Sequence, residues 1–304
     1  MSRLPVVVLA LGFTCSVLAQ APRSDERGAT FPVKGARIYY HVLGSGDGAP
    51  LVVVNGGPGF DHNYLHASTA WNRLAKDRRV VFYDQRGNGR SSADKDAAMD
   101  LAAQVDDLEA LRASLKAERI DLLGHSWGGY LVMAYSALHP DRIRHLIVVG
   151  SAAPKWSDTL FLFDSVFPET TEAQRVALAE QRLGNQEAED RDIRLYFTML
   201  FYSPDKRDAF VAHSSDYHYS REINAAINRD LARFDLTPEL SKFTFPTLVM
   251  TGRFDMNVAP LTAYRIHQTI GGSKFVVFDR SGHLPFYEEP EAFVREVNRF
   301  LDAR

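Results

Sequence analysis

The segment Ile120-Asp121-Leu122-Leu123-Gly124-His125-Ser126-Trp127-Gly128 decides how the rest of this sequence is interpreted. Residues 120–123 are interpreted as a strand and residues 127–139 as a helix, so the G-x-S-x-G element occupies a strand–turn–helix junction. A turn this tight leaves no room for side chains at positions 124 and 128, which accounts for the two glycines. The junction lifts the Ser126 hydroxyl to a helix N-terminus, where the helix dipole favours negative charge. The pattern therefore predicts that Ser126 is a nucleophile.

Strands and helices alternate on both sides of this segment. Two short strands are expected within residues 30–43, and further apolar runs typical of buried strands are Leu51–Val54, Arg79–Tyr83, Leu146–Val149, Thr247–Met250 and Phe275–Phe278. Helices are expected at residues 62–76, 98–117, 259–270 and 290–302. This alternation predicts an α/β fold with a mostly parallel central sheet flanked by helices.

Residues 155–240 interrupt the alternation. This stretch has no strand-like run, contains several helical stretches and is rich in aromatic residues. We therefore expect a helical cap, inserted into a core that is formed by residues 20–154 and 241–304. The acidic residues of the cap are expected to be mostly solvated; they include Glu169, Glu172, Asp192, Asp216 and Glu222.

The first nineteen residues are typical of a secretory signal peptide. Arg3 precedes an apolar run, Leu4–Leu18, and small residues stand at positions −3 and −1 of a cleavage site after Ala19. The run is short for a membrane span of roughly 20 residues, although an uncleaved N-terminal anchor is the alternative. Cleavage predicts a periplasmic or secreted protein without stable membrane association. It also removes the single cysteine, Cys15, which suits an oxidising compartment.

Composition excludes several classes of protein. The 304 residues carry a net charge of −3 and are 45% apolar, which is ordinary for a globular protein. Charges of both signs are interspersed, so nucleic acid is not an expected partner. His62 and His66 are spaced as neighbours on a helix but lack an accompanying carboxylate motif, so they are expected on a solvated helix face. Neither a metal site nor a cofactor is expected.

A serine nucleophile needs a base, and that base is held by an acid. In a fold that carries G-x-S-x-G at a strand–helix turn, the chain order is Ser, then Asp or Glu, then His. Asp255 follows the strand 247–250, and His283 follows the last strand. The predicted catalytic residues are therefore Ser126, Asp255 and His283.

Acyl transfer also needs hydrogen-bond donors for the developing oxyanion. One predicted donor is the backbone N–H of Trp127, the residue after the nucleophile. The second is expected in the loop Asn55-Gly56-Gly57-Pro58-Gly59, whose glycines allow the backbone to approach a substrate closely. Gly57 is the first choice for this donor and Gly56 the second.

The triad pattern resembles the α/β-hydrolase superfamily over essentially the whole mature chain. Within it, three segments together resemble the proline iminopeptidase family of serine peptidases: residues 55–59 (NGGPG), 84–91 (DQRGNGRS) and 124–129 (GHSWGG). Gly252-Arg253-Phe254-Asp255 is similar to the segment that carries that family's acid. The resemblance implies removal of an N-terminal residue, typically proline, from short peptides. Asn55 stands where the family usually has His, and the acidic-aromatic cap segment that holds the substrate's ammonium group in the family is not found.

Two substrate classes therefore stay open for a small-molecule or short-peptide substrate. A serine aminopeptidase requires recognition of a free amine, whereas a carboxylesterase or lactonase on the same triad does not. A binding protein on an inactive scaffold is disfavoured because all three triad positions hold competent residues. An Asp-nucleophile mechanism is disfavoured because position 126 is Ser.

Overall fold

A computed structural model of the chain describes residues 28–185 and 187–303. The predicted signal peptide, residues 1–19, lies outside the described residues. The predicted α/β fold with a mostly parallel sheet between helices is confirmed.

In the described residues, one sheet of nine strands forms the centre of the protein. Its strands are β1 (Ala29–Val33), β2 (Ala36–Leu43), β3 (Leu51–Val54), β4 (Val80–Tyr83), β5 (Ser92–Ala93), β6 (Ile120–His125), β7 (Ile143–Val149), β8 (Thr247–Gly252) and β9 (Lys274–Phe278). The order across the sheet is β1-β2-β4-β3-β6-β7-β8-β9, and β5 pairs with β2. Pairing is antiparallel at the β1–β2, β2–β4 and β2–β5 contacts and parallel elsewhere. The carboxyl ends of β3, β6, β7 and β8 therefore meet at one edge of the sheet, where ligands of such folds bind.

Helices cover both faces of the sheet and fill the break between β7 and β8. They are α1 (Ala70–Leu74), α2 (Leu101–Ser114), α3 (Trp127–Leu138), α4 (Phe163–Val166), α5 (Pro168–Arg182), α6 (Glu187–Thr198), α7 (Pro204–Val211), α8 (Arg221–Leu231), α9 (Thr237–Leu240), α10 (Pro260–Thr269), α11 (Pro285–Glu288) and α12 (Pro290–Leu301). Short 3₁₀ helices cover Asn63–Ala67, Pro140–Arg142, Trp156–Asp158 and Ser214–Asp216. In the described part of the chain, no helix is long and apolar enough to cross a membrane.

The core lies on both faces of the sheet because successive side chains of a strand point to opposite sides. In β3, Val52 and Val54 belong to the core cluster that includes residues of α2, α3 and α10, whereas Leu51 and Val53 belong to the cluster that includes residues of α1 and α12. All four residues of β3 are buried, which explains why the strand is an unbroken apolar run.

The segment between β7 and β8 packs over the carboxyl edge of the sheet. Two backbone contacts tie it to the core there: the Ser220 N–H donates to Gly59 O at 2.8 Å, and the His283 N–H donates to Leu200 O at 2.7 Å. Its apolar side chains join the two core clusters, Phe197 and Phe210 on one face of the sheet and Ile227 on the other. The segment is therefore packed against both the loop after β3 and the loop after β9.

The predicted helix over residues 62–76 is wrong in form. The structure has the 3₁₀ helix Asn63–Ala67 and the separate helix α1, with Ser68 and Thr69 between them. The expected solvated position of His62 and His66 is also wrong. His62 is 1% exposed and His66 is half-buried, because the 3₁₀ helix packs on Phe82 and on His41 of β2.

Candidate active site

The turn at Ser126 has a backbone geometry that the sequence pattern anticipated. Ser126 has a φ of 57° and a ψ of −122°, a backbone conformation that residues other than Gly rarely adopt. A Cβ at position 124 would lie 2.3 Å from the Gly128 carbonyl oxygen, and one at position 128 would lie 2.3 Å from Val54 O. Both glycines are therefore required by the close approach of β6, α3 and β3.

Asp255 and His283 form a buried pair at the carboxyl ends of β8 and β9. The His283 Nδ1 lies 2.8 Å from Asp255 Oδ2, and the Val258 N–H donates to Asp255 Oδ1 at 2.8 Å. Both side chains are almost fully buried. The pair fixes the histidine with its Nδ1–H towards the carboxylate, which leaves Nε2 as the basic nitrogen.

Ser126 and His283 line the same small cavity, of about 20 Å³, beneath the segment between β7 and β8. The His283 Nε2 accepts a hydrogen bond from the Asn257 side-chain amide at 3.0 Å. The same amide lies 3.2 Å from the Tyr196 hydroxyl. Asn257 therefore holds the nitrogen that a serine proton would reach, a contact that sequence patterns did not indicate.

The loop after β3 presents one free backbone donor beside Ser126. The Gly56 N–H donates to the Tyr64 hydroxyl at 2.6 Å, so it is already engaged. No acceptor in residues 28–185 and 187–303 contacts the Gly57 N–H, and Gly57 lines the Ser126 cavity. Trp127 is the first residue of α3, where a helix leaves its N–H groups without intrahelical partners. The geometry therefore favours Gly57 over Gly56 and is compatible with Trp127 as its counterpart.

A buried amide network holds these two donor segments together. The Trp127 indole N–H donates to Gln85 Oε1 at 2.8 Å, and Gln85 Nε2 donates to Asn55 O at 3.0 Å. The Asn55 side-chain amide donates to Phe60 O at 2.8 Å across the glycine turn. The loop after β4 thus connects the loop after β3 to the start of α3. The side-chain amide at position 55 contributes by holding the glycine turn through its bond to Phe60 O.

Tyr64 links the loop after β3 to His283. His125 Nε2 lies 2.9 Å from His283 O, a carbonyl that can only accept, so Nε2 carries the proton. Burial lowers the pKa of His125 well below its usual range, so the ring is neutral and its Nδ1 is an acceptor. The Tyr64 hydroxyl, 2.8 Å from that Nδ1, therefore donates to it while accepting from Gly56. A continuous chain of hydrogen bonds runs from the Gly56 N–H to the backbone of His283.

Glu288 supports the loop that carries His283. Its carboxylate accepts hydrogen bonds from the N–H groups of Gly282 at 2.6 Å and Ser203 at 2.8 Å. Burial raises the pKa of this carboxyl group, against the effect of those hydrogen bonds. Glu288 is buried in the short helix α11, an element that the sequence did not predict.

A second, larger cavity of about 240 Å³ adjoins the Ser126 cavity. The two share Gly57, Phe60 and Tyr196 as lining residues. The larger one is also lined by Tyr219 and by two charged side chains, Asp192 and Arg221. Pockets for drug-sized ligands usually have volumes of about 300–1,000 Å³, so this volume fits a small group.

Asp192 differs from the other acids that the sequence offered in this segment. Glu169, Glu172, Asp216 and Glu222 are exposed, whereas Asp192 is buried. Its Oδ2 pairs with the Arg221 guanidinium, but its Oδ1 is buried with no hydrogen-bond partner among the described residues. The hydrophobic packing of α6 against the core brings this one carboxylate to the cavity beside Gly57.

Comparisons with known proteins agree with this geometry. A family model described as the alpha/beta hydrolase fold matches residues 49–290. The chain is 30% identical to a proline iminopeptidase of Lactobacillus acidophilus over 90% of this chain and 97% of that protein. It is 32% identical to a proline iminopeptidase of Lactobacillus helveticus over 89% of this chain and 96% of that protein. An esterase from Exiguobacterium antarcticum superposes with a TM-score of 0.73 at 26% identity, covering 91% of this chain and all of the other.

Proposed function

Because this chain belongs to the α/β-hydrolase family and its sequence is proline iminopeptidase-like, we propose that it is a serine aminopeptidase. It would release an N-terminal proline, or a similar residue, from short peptides. The observation that carries the proposal is the buried Asp192 carboxylate, whose Oδ1 lacks a partner among the described residues, in the cavity that shares Gly57 with Ser126.

In the proposed reaction, Ser126 Oγ attacks the carbonyl carbon of the substrate's first residue while His283 Nε2 takes its proton. Asp255 stabilises the imidazolium that forms. The Gly57 and Trp127 N–H groups stabilise the negative oxygen of the tetrahedral intermediate. The imidazolium then protonates the leaving amine, and a water molecule hydrolyses the acyl-enzyme by the same steps in reverse. Asn257 must yield its contact with Nε2, or share it, when Ser126 donates.

Recognition of the free amine is assigned to Asp192. A substrate ammonium group that leaves water needs an anionic partner, and a hydrogen bond to a charged group contributes about 1.5–3 kcal/mol. Arg221 neutralises part of the Asp192 charge, which restricts the site to a cation that reaches the open Oδ1 directly. The aromatic rings of Phe60 and Tyr196 would pack against the apolar ring of a proline.

A carboxylesterase or lactonase is the second candidate. It is favoured by the ion pair of Asp192 with Arg221, which leaves little net charge in the cavity, and by the fold similarity to an esterase. The triad chemistry is the same for esters and amides, because both give a tetrahedral oxyanion.

Three substrates separate these candidates: a prolyl arylamide, its N-acetyl derivative and a short-chain aryl ester. For the aminopeptidase we expect kcat/KM for the free amine to exceed that for the acetylated form by at least tenfold. Asp192→Asn should lower the free-amine value by about 10- to 150-fold and leave ester hydrolysis nearly unchanged. Glu172→Gln, an exposed acid of the same segment, is the matched control. Equal rates with and without the acetyl group, or activity on the ester alone, would establish the second candidate instead.

We also propose that the protein is exported, with residues 1–19 removed as a signal peptide. The support is the positive charge of Arg3 near the N-terminus, the apolar run Leu4–Leu18 and the small residues before Gln20. Mass spectrometry of protein recovered from the periplasm or medium of a bacterial host should give an N-terminus at Gln20. An intact Met1 on that material would remove the proposal.

A further inference from the structure

Three histidines converge on the side of the sheet where the 3₁₀ helix Asn63–Ala67 packs. His41 comes from β2, His62 precedes the 3₁₀ helix and His66 lies within it. Their ring centroids are 4.9–5.2 Å apart, and each ring offers one nitrogen that lies within 4.8 Å of the others. His62 and His66 are only four residues apart, but His41 precedes His62 by 21 residues, so the fold rather than local spacing brings His41 to the other two.

Three ring nitrogens of this cluster lack protein partners in the described part of the chain. Both nitrogens of His41 and the Nε2 of His66 are buried with no hydrogen bond to any described residue. More than nine in ten buried polar groups in proteins are hydrogen-bonded, and a neutral imidazole has both a donor and an acceptor to satisfy. Phe82, which stacks on His41, offers neither. Three unpartnered nitrogens in one place point to a ligand that takes nitrogen donors.

His62 has the carboxylate contact that commonly accompanies a metal-binding histidine. Its Nδ1 lies 2.5 Å from Asp84 Oδ1, and its backbone N–H donates to the same oxygen at 3.1 Å. Such a contact fixes the tautomer, with the proton on Nδ1 and the lone pair on Nε2, and makes the ring a stronger donor to a metal. The Arg90 N–H holds the other Asp84 oxygen at 2.8 Å, so the carboxylate itself is fixed.

The charges around the cluster are of both signs. Asp84 and Asp61 contribute negative charge, and Arg90, bonded to the Tyr39 hydroxyl at 2.6 Å, contributes positive charge. Neutral imidazole is the form in which histidine binds metals.

We propose that His41, His62 and His66 form a binding site for a divalent d-block cation, with zinc as the best fit. Zn–N bonds of 2.0–2.1 Å in a tetrahedral site place the nitrogens roughly 3.4 Å apart. The present upper limit of 4.8 Å therefore requires ring movements on the order of 1 Å. His66 is the least buried of the three histidines, and a water molecule would complete the coordination. Copper(II) and nickel(II) share the preference for imidazole.

The site would act on the candidate active site through Tyr64. This residue lies between His62 and His66 in the chain, and its hydroxyl holds the Gly56 N–H and His125. A metal that joins both histidines to β2 would fix the 3₁₀ helix that carries Tyr64. The bound ion is thus expected to be structural, and the proposal does not depend on which substrate the enzyme takes.

The test uses the full chain without a histidine tag, stripped with a chelator and titrated with ZnCl₂ in a calorimeter. We expect one saturable site per chain, a raised melting temperature with zinc, and binding at least tenfold weaker in His66→Ala. His213→Ala, which removes an exposed histidine, and His283→Ala, which removes the buried histidine beside Ser126, should bind as the wild type does. Saturable binding that persists in His66→Ala, loss only in His283→Ala, or no saturable binding at all would overturn the proposal.

Cobalt(II) gives a measurement that needs no variant. The wild-type protein loaded with Co²⁺ should show the visible absorption of a tetrahedral nitrogen site, and added zinc should displace it. If His66→Ala does not fold, this spectrum decides the question. A spectrum of octahedral cobalt only, unchanged by zinc, would contradict the proposed site.

Discussion

Replacing Tyr64 with Phe should weaken both the fold and the reaction, because one hydroxyl serves two buried groups. The substitution removes a single oxygen from a side chain that is 4% exposed. It leaves the Gly56 N–H without its acceptor and His125 Nδ1 without its donor. The ring itself still fills the same volume, so no packing term is added.

The magnitude follows from those two losses. A buried group that loses its hydrogen-bond partner costs about 1–3 kcal/mol, so the free energy of unfolding should fall by about 2–6 kcal/mol. Complete removal of an oxyanion donor typically lowers kcat by about 10²–10³. Here Gly57 is retained but its neighbour Gly56 is released, so we expect kcat to fall by roughly ten- to a hundredfold.

Urea unfolding and steady-state kinetics on the preferred substrate measure the two effects. Tyr264→Phe, at a half-exposed position of α10, is the control and should change neither quantity. The free energy of unfolding of Tyr64→Phe could instead lie within about 0.5 kcal/mol of the wild-type value, with kcat within twofold. In that case the chain of hydrogen bonds from Gly56 to His283 contributes neither to stability nor to the reaction as argued.

Three further substitutions test other parts of the structure. Ser126→Ala should lower turnover by on the order of 10⁶ with an unchanged circular dichroism spectrum, and retention of a tenth of the activity would exclude Ser126 as the nucleophile. Arg86→Met should lower the free energy of unfolding by about 3–5 kcal/mol, because it leaves the buried Asp107 carboxylate without the guanidinium that contacts it at 2.6 and 2.7 Å. Adding Asp107→Leu to this variant should restore much of the lost stability. If the destabilising effects of the two substitutions simply add in the double variant, the pairing is refuted. Arg112 holds the pKa of Glu109 at about 2, below its usual 4.5, so the folded state favours the carboxylate and Glu109 stabilises the protein above pH 4.5. The stability difference between wild type and Glu109→Gln should therefore shrink as the pH of urea unfolding falls from 5 towards 2, and a difference that grows would contradict this sign.

The sequence predicted the meeting of Ser126, Asp255 and His283 because parallel strands end at the same edge of a sheet. Each residue follows a different strand, so strand identity and chain order alone bring them to one edge. The structural role of the glycines at 124 and 128 was predictable for a related reason, because a tight strand–helix turn leaves no room for a Cβ atom at either position. These features depend on topology and backbone sterics, which local patterns encode well.

Side-chain partners across long sequence separations could not be predicted in the same way. The spacing of His62 and His66 indicates one face of a helix but not whether that face meets water or Phe82. Asp192 could not be distinguished from its exposed neighbours, because its burial depends on how α6 packs over the core. Tyr64, whose two partners lie 8 and 61 residues away, has no sequence signal at all.

The hydrogen bonds around Ser126 are the reason that we expect substrate selection to come from the segment between β7 and β8. In the core, the polar side chains of Asn55, Gln85 and His125 are each bonded to another protein group and have little left to offer a ligand. The Gly57 and Trp127 N–H groups retain capacity, but an oxyanion would use both and would look the same for an ester or an amide. Asp192 Oδ1 also lacks a partner among the described residues, and a carboxylate oxygen suits a cation rather than an acyl group. A preference for a free amine would therefore depend on α6, and a variant that loses Asp192 should keep its chemistry while it loses that preference.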